Sequence, residues 1–494
     1  MRVRSEPGSV SAMGYAVVWR EGAGDARAGN LELRGAQLEL VGGIPGRPAD
    51  AMTVALDEVT GTRIERADGM SWLVIERASG LPLRIASVIG VGIVRELSDE
   101  LAGRLSTRAQ PDGRPLSVMI AGGGVAALEA LLALRALAEE RIEITLVSAT
   151  PDFWYRPLAV LRPFAPPQSE RFALEPIAAE HGARLLVDEI VEVALEERRA
   201  FTRGLRELRY DVLVVATGAA GAPAVPGAFT VWDWGRGSDF RRLLEQLARS
   251  GEQQLVFAVP GTPTWPLPLY ELALLSASFL AERGATEVGL TVVTPEEEPL
   301  GLFGGEVAAA VRRLLGGRGI ELRTGVHPLR FAAGALEVAA GEAVPADWVV
   351  ALPRLSGRTI AGLPHDREGF LATDAVGHVG GRLNVFAIGD VTDFPVRQGG
   401  IAAQQAETAA QAIAAQAGAP LPVQPTRPIL RAVMVTGDAP LYLRAELGGG
   451  RGAASLVSEE PLWWPASKIA AKRLAPYLAR RAGETREPAP SEPN

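Results

Sequence analysis

Over roughly the first hundred residues, apolar and polar positions alternate in short runs: YAVVW (15–19), NLEL (30–33), QLELV (37–41), GTRIER (61–66), SWLVIER (71–77) and LPLRIAS (81–87). Turns rich in Gly, Pro and Asp separate them. A period of two belongs to strands with one covered face, so this region is expected to form a small antiparallel sheet or barrel. GIVRELSDELAGRL (92–105) then changes to helical spacing. Strands closed by one amphipathic helix share their architecture with the pleckstrin-homology barrel, a likeness of shape that carries no function. STRAQPDGRP (106–115) reads as a linker.

From Leu116 the pattern changes. Apolar runs that read as buried strands (117–122, 142–148, 208–218) alternate with helix-like stretches, first GVAALEALLALRALAEE (124–140). A second such block begins near Gln254. It has strand-like runs at 288–295, 320–325 and 346–353, and helices from Leu269 and over 306–319. LNVFAIGDVTD (383–393) returns to strand character before a helix from Gly400. Strand–helix alternation implies parallel α/β sheets. The expected fold class is therefore α/β, with two Rossmann-like domains and a β-rich N-terminal module. The expected divisions are the module at 1–112, a discontinuous first domain at 113–235 and 350–425, a second domain at 236–349, and a C-terminal segment at 426–494. That last segment holds an amphipathic helix within SKIAAKRLAPYLARR and a polar, disordered tail, ETREPAPSEPN.

Composition narrows the chemistry. A chain of 494 residues exceeds a single core. A net charge of −8 argues against nucleic acid as a partner. No run of about 18 uncharged apolar residues occurs, and the N-terminus has no apolar signal region, so the expected compartment is the cytoplasm. Cysteine is absent, which excludes disulfides, thiol nucleophiles, dithiol relays and Cys-ligated metals. The four histidines share no ligand spacing, so no metal is expected. Redox chemistry would need a bound organic cofactor.

Three motifs supply one. In AGGGVAALEA (121–130), Gly122, Gly123 and Gly124 separate a strand from a helix. Gly122 permits a tight turn, Gly124 lets a pyrophosphate approach the backbone, and Ala127 lets helix and strand pack closely. The acidic residue that normally binds ribose at the end of the next strand is missing; Ser148 stands there. YDVLVVATGA (210–219) ends a buried strand in Thr217 and Gly218. NVFAIGDVTD (384–393) places Gly389 and Asp390 at a strand's C-terminal end, where α/β sheets bind ligands. Soon afterwards Gly399 and Gly400 open a helix.

Together and in this order, over about residues 115–475, these motifs resemble the flavoproteins with two dinucleotide-binding domains, such as sulfide:quinone oxidoreductases, flavocytochrome c sulfide dehydrogenase subunits and type II NADH dehydrogenases. The resemblance implies FAD as cofactor, with Gly122, Gly124 and Ala127 at its pyrophosphate and Asp390 on its ribityl chain. It also implies that the backbone of Gly400 and Ile401 faces the pyrimidine edge of the flavin, where a helix N-terminus favours negative charge. FWYRPLAV (153–160) is similar to the family segment that brings an Arg-Pro pair near the cofactor, here Arg156 and Pro157. Arg156 otherwise reads as an ordinary surface or salt-bridged arginine.

Sulfide oxidation and disulfide reduction in these families need cysteines, so both are excluded. Electron transfer through FAD to a quinone-like or other small acceptor remains, with NAD(P)H as a candidate donor. The second-domain loop that would hold a nicotinamide nucleotide reads VPGTPTWPLPLYE (259–271), with one glycine and prolines that lack N–H donors. Glu296, Glu297 and Glu298 follow the next strand, as ribose ligands or as a solvated acidic turn. Trp265 is expected either to pack in its loop or to shape the substrate pocket near the flavin. Gln398 and Glu407 are candidate catalytic residues beside the flavin, with Arg397, Gln404 and Gln405; Glu407 would relay a proton or be a plain surface carboxylate. Trp463, Trp464 and the cations of the last helix suit either peripheral contact with the inner face of a membrane or a helix docked on the protein. A different class of function fits as well: an FAD-binding regulatory or redox-sensing protein whose N-terminal module binds a partner or mediates oligomerisation.

Overall fold

The computed structural model describes residues 13–43, 50–87, 91–105, 114–164, 171–231, 237–261, 264–447 and 455–481. The N-terminal dozen residues, most of the expected linker, Pro263 of the second-domain loop and the polar tail lie outside them.

Among the described residues the N-terminal module has seven strands: β1 (Met13–Glu21), β2 (Arg27–Arg34), β3 (Gln37–Gly43), β4 (Asp50–Ala55), β5 (Val59–Ala67), β6 (Met70–Arg77) and β7 (Leu83–Ser87), followed by α1 (Val91–Leu105). They form an antiparallel sheet in the order β5-β6-β7-β1-β2-β3-β4. Val94, Leu97, Leu101 and Leu105 of α1 fall at helical spacing and bury against Trp19, Leu31, Leu73 and Ile85. Sequence reasoning missed β4, which is mostly exposed and has no clear alternation. Among the described residues no ladder joins β4 to β5. The module is thus an antiparallel sheet packed on a helix, without the closure expected of a barrel.

The chain continues through β8 (Leu116–Ala121), α2 (Val125–Ala138), β9 (Ile142–Ser148), β10 (Ala183–Val187), β11 (Val212–Val215), α3 (Gly237–Ser250), β12 (Gln253–Ala258), α4 (Leu267–Ala281), β13 (Val288–Val293), α5 (Gly305–Gly317), β14 (Ile320–Arg323), β15 (Trp348–Ala351), β16 (Arg382–Ala387) and α6 (Gly399–Gln416). β17 (Ile429–Met434), β18 (Leu441–Glu446), β19 (Ser455–Ser458) and α7 (Leu474–Arg481) complete it. One parallel sheet runs β10-β9-β8-β11-β16 and another β15-β12-β13-β14. α2 and α6 cover one face of the first sheet and α3, α4 and α5 one face of the second, and the opposite faces bury apolar residues against short strands and loops instead. Ala126, Ala127, Ala130 and Ala133 of α2 and Ala402, Ala403, Ala406 and Ala409 of α6 share one core, their small side chains letting the two helices approach closely.

β5 joins β16 where Gly61 pairs with Arg382, so module and first domain share one continuous sheet. The backbones meet too closely for side chains: a Cβ on Gly381, whose φ is +75°, would lie 1.8 Å from the Thr62 carbonyl oxygen.

The C-terminal segment departs from expectation. β17, β18 and β19 form an antiparallel sheet. SKIAAKRLAPYLARR is not helical throughout: the helix starts only at Leu474, and residues 462–473 cross the first domain as an irregular strap. Leu474, Ala475, Tyr477 and Leu478 bury in the core of α2 and α6. Of the two alternatives, membrane contact or docking on the protein, the apolar face of the helix takes the second. Trp463 donates from Nε1 to the Ser467 carbonyl (3.1 Å) and packs edge-on against Tyr442. Among the described residues no helix is long and apolar enough to cross a membrane.

Candidate functional site: a cavity under the C-terminal strap

The C-terminal ends of β8, β9, β11 and β16 open into a cavity of about 510 Å³, also walled by the start of α4 and by the strap. This is the crevice where doubly wound sheets bind ligands, and its volume suits a small-molecule site.

Gly122 to Ala126 line one end. Gly122 adopts φ +138° and donates its N–H to the Val147 carbonyl (2.7 Å); a Cβ there would lie 2.2 Å from the Ala216 carbonyl oxygen. Only glycine fits such a turn. Gly124 occupies the N-cap of α2, no side chain caps that helix, and no atom lies within 4 Å of where its Cβ would be. The helix therefore offers uncapped N–H groups and its positive end to an anion. Ala127 does not line the cavity; it is fully buried in the core. Ser148 lines it, with its hydroxyl hydrogen donated to the Thr150 carbonyl (2.8 Å), leaving only acceptor capacity for a ligand.

Thr217, Gly218, Gly389 and Asp390 form the middle wall. The Thr217 hydroxyl and Arg397 Nε are buried with no protein partner among the described residues, and both side chains belong to the lining. Buried polar atoms are normally satisfied, so these two await a ligand or water. Burial pushes the Asp390 carboxyl up, with Arg397 and Arg156 opposing. Arg156 lines the cavity; burial pulls its guanidinium down, and the neighbouring Arg358 adds to that. Asp390 and the guanidiniums of Arg156, Arg358 and Arg397 thus share the lining, with Asp152, Asp188, Glu189 and Glu271 elsewhere on it, an arrangement that suits a ligand with hydroxyl and phosphate groups.

The start of α6 closes the far end. Gln398 and Gly399 line the cavity, while Gly400 and Ile401 lie behind them, buried. Gln398 is the N-cap: its Oε1 accepts from Ile401 N (3.0 Å) and its Nε2 donates to the Arg431 carbonyl (2.8 Å). Its amide is occupied in shaping the helix start rather than free for proton transfer. Gln405 accepts from Gly389 N (2.7 Å) and holds the loop that carries Asp390. Gln404 bonds the Gly400 carbonyl and the backbone of Ile429. Glu407 corrects an expectation. It is not in the cavity lining and is paired with Lys472 (2.8 Å) and Arg473 (2.9 Å), which hold its carboxyl below the usual range against the effect of burial. A proton relay to the cavity is not what this geometry offers.

In the second domain, Trp265 does two things. It lines the cavity and packs against Phe303, the ring centroids 5.9 Å apart. Glu296 is unavailable to a ribose: it accepts from Tyr270 Oη (2.7 Å), Thr294 Oγ1 (3.0 Å) and Leu300 N (3.0 Å). Burial raises its pKa, and these bonds oppose the rise.

Sequence reasoning missed the strap's part in the site. Lys468 and Ile469 line the cavity. Lys468 Nζ meets Glu271 Oε2 at 2.7 Å, both side chains being nearly or fully buried, and Glu271 Oε1 accepts from Val435 N (2.8 Å). Burial pushes Glu271 up, with Lys468 opposing. A signal existed: among 50 cationic side chains only Lys468 and Lys472 are lysines. No metal-ligand cluster occurs among the described residues.

The chain shares its fold with solved oxidoreductases and contains no cysteine. No family model and no curated protein matches it, but solved structures do. Similar structures include the sulfide:quinone oxidoreductase of Aquifex aeolicus, with a TM-score of 0.63 and 20% identity over 70% of this chain and 87% of that one. A ferredoxin reductase from Rhodopseudomonas palustris gives 0.52 and 21% over 67% and 83%, and an NAD-dependent persulfide reductase from A. fulgidus 0.51 and 19% over 68% and 64%.

Proposed function

We propose that this protein is an FAD-dependent oxidoreductase that passes electrons between a small donor and a small acceptor without cysteine chemistry. The observation that carries the reading is convergence. A glycine cradle at an uncapped helix end, an unpartnered Thr217 hydroxyl, and Asp390 among arginines all face one cavity. In this reading the Gly122–Gly124 backbone and Arg156 take the pyrophosphate, Asp390 takes ribityl hydroxyls, and the start of α6 lies toward the pyrimidine edge. Bound flavin would supply two-electron redox chemistry that the side chains of this chain lack. Lys468 lines the same cavity as an ion pair with Glu271, so it closes that wall without adding net charge. Leu267, Pro268, Leu352 and Trp265 give the remaining wall an apolar character that suits a planar, quinone-like acceptor and excludes water. NAD(P)H is the candidate donor, though Glu296 is already bonded inside the second domain.

The test is direct. Purified protein should carry flavin, and Asp390→Ala should lose it while keeping its fold; full retention would count against the assignment. Anaerobic NADH or NADPH should bleach the flavin band within seconds. Bleaching by dithionite alone would remove the nicotinamide donor and favour a regulatory flavin.

A further inference from the structure

Four side chains hold the strap over the cavity. Tyr155 Oη accepts from Ile469 N (3.0 Å), and Glu271 binds Lys468. Glu407 binds Lys472 and Arg473. The fourth, Glu129, is fully buried on the second turn of α2. Its Oε1 accepts from Arg473 N (2.9 Å) and its Oε2 from Leu474 N (2.6 Å), where α7 begins. A buried carboxylate loses its hydration, and here two amides at a helix N-terminus offset that loss. Burial pushes it up and those amides pull it down.

The helix that bears Glu129 also forms the dinucleotide cradle at its first residues, five positions earlier. The strap that Glu129 grips reaches the other end of the same cavity. A Cβ on Gly399 would lie 2.7 Å from Ile469 Cδ1, so the strap packs directly on the start of α6. A dinucleotide spanning cradle and α6 would pass beneath residues 468 and 469.

We propose that Glu129 is a positioning residue that couples strap and cradle: it seats the C-terminal strap, and the seated strap retains the dinucleotide. The coupling rests on the cofactor reading above; the seating does not. Linkage makes the effect reciprocal, so FAD should tighten the strap by the same factor by which the strap tightens FAD.

Lys468 and Lys472 are the only lysines, so a lysine-specific endoprotease reports on the strap alone. The full-length protein, with and without FAD, should be cleaved slowly, and more slowly with FAD. Glu129→Gln keeps the shape but turns one acceptor into a donor facing an N–H. Cleavage should speed up by about tenfold or more, the scale of losing one charge-assisted hydrogen bond, and the FAD dissociation constant should rise by the factor by which FAD protection falls. A residue serving only the core would lower the melting temperature without that matching pair. Should Glu129→Gln fail to fold, Tyr155→Phe, which removes only the hydroxyl on Ile469 N, should move both quantities in the same direction by less. Wild-type cleavage rates in a folded Glu129→Gln would overturn the seating. Faster cleavage with unchanged FAD affinity would overturn the coupling. Absence of FAD binding in the wild type would sink the cofactor reading and leave the seating judged by cleavage alone.

Discussion

Replacing Lys468 by Met tests the buried pair at the heart of the cavity. At 2.7 Å, with an effective dielectric constant of roughly 20, the attraction between Lys468 and Glu271 is about 6 kcal/mol. Desolvating both ions offsets most of that, so the intact pair adds little net stability. Removing one partner is different, because Glu271 is fully buried and keeps only the Val435 amide. Breaking a buried pair in this way costs about 3–5 kcal/mol. The sign of the pH dependence follows. Burial already raises the folded-state pKa of Glu271, and loss of the ammonium raises it further. A raised acid favours the folded state at low pH and withdraws that contribution as pH rises through the raised value. Lys468→Met should therefore lie close to wild type in acid and fall behind it toward neutral and alkaline pH. Urea unfolding across that range measures the gap. The double variant Lys468→Met, Glu271→Gln should recover most of the loss and flatten the dependence. A single variant within about 0.5 kcal/mol of wild type at alkaline pH, or a double variant no better than the single, would refute the reasoning.

Gly122→Ala forces a Cβ to 2.2 Å from a carbonyl oxygen at φ +138°, and should lose about 1–3 kcal/mol of stability together with the flavin; Gly251→Ala, at φ +76° in open space, should lose less in the same melting experiment. Tyr270→Phe removes one of three donors to half-buried Glu296 and should cost about 1–3 kcal/mol in denaturant unfolding. Asp99 of α1 accepts from Ala375 N of the first domain; burial, with Asp374 adding and Arg95 opposing, pushes its pKa up to about 6. Its contribution to stability is full below the ordinary carboxylate range and is lost as pH rises through about 6. Melting temperatures recorded across that window should fall in wild type and stay flatter in Asp99→Asn.

The first parallel sheet and its glycine turn were legible because their signals are local. Fully buried strands read as unbroken apolar runs, and the turn after β8 needs a backbone conformation that only glycine adopts. The amphipathic α1 was legible for the same reason, its period being visible within fifteen residues. β4 was not, since an exposed edge strand need not alternate. Asp390 could be placed at a strand end and Arg397 seven residues on, but that Arg156, 234 positions earlier, acts on the same carboxyl only the fold decides.

Whether SKIAAKRLAPYLARR would be helix, membrane anchor or strap was a question its own residues could not answer. Its apolar spacing suits a helix, yet a helix would have to use the amides of Ile469, Arg473 and Leu474 differently. Tyr155 and Glu129 take those amides, from positions more than 300 residues earlier. The ion pair of Lys468 with Glu271 likewise spans 197 residues. The sequence by itself determined the sheets, the cradle and the absence of thiol chemistry, because periodicity, glycine conformation and composition act over a few residues. The tertiary structure alone decided that the tail becomes a wall of the cavity, because buried carboxylates and a hydroxyl compete for backbone donors only once the chain has brought them together.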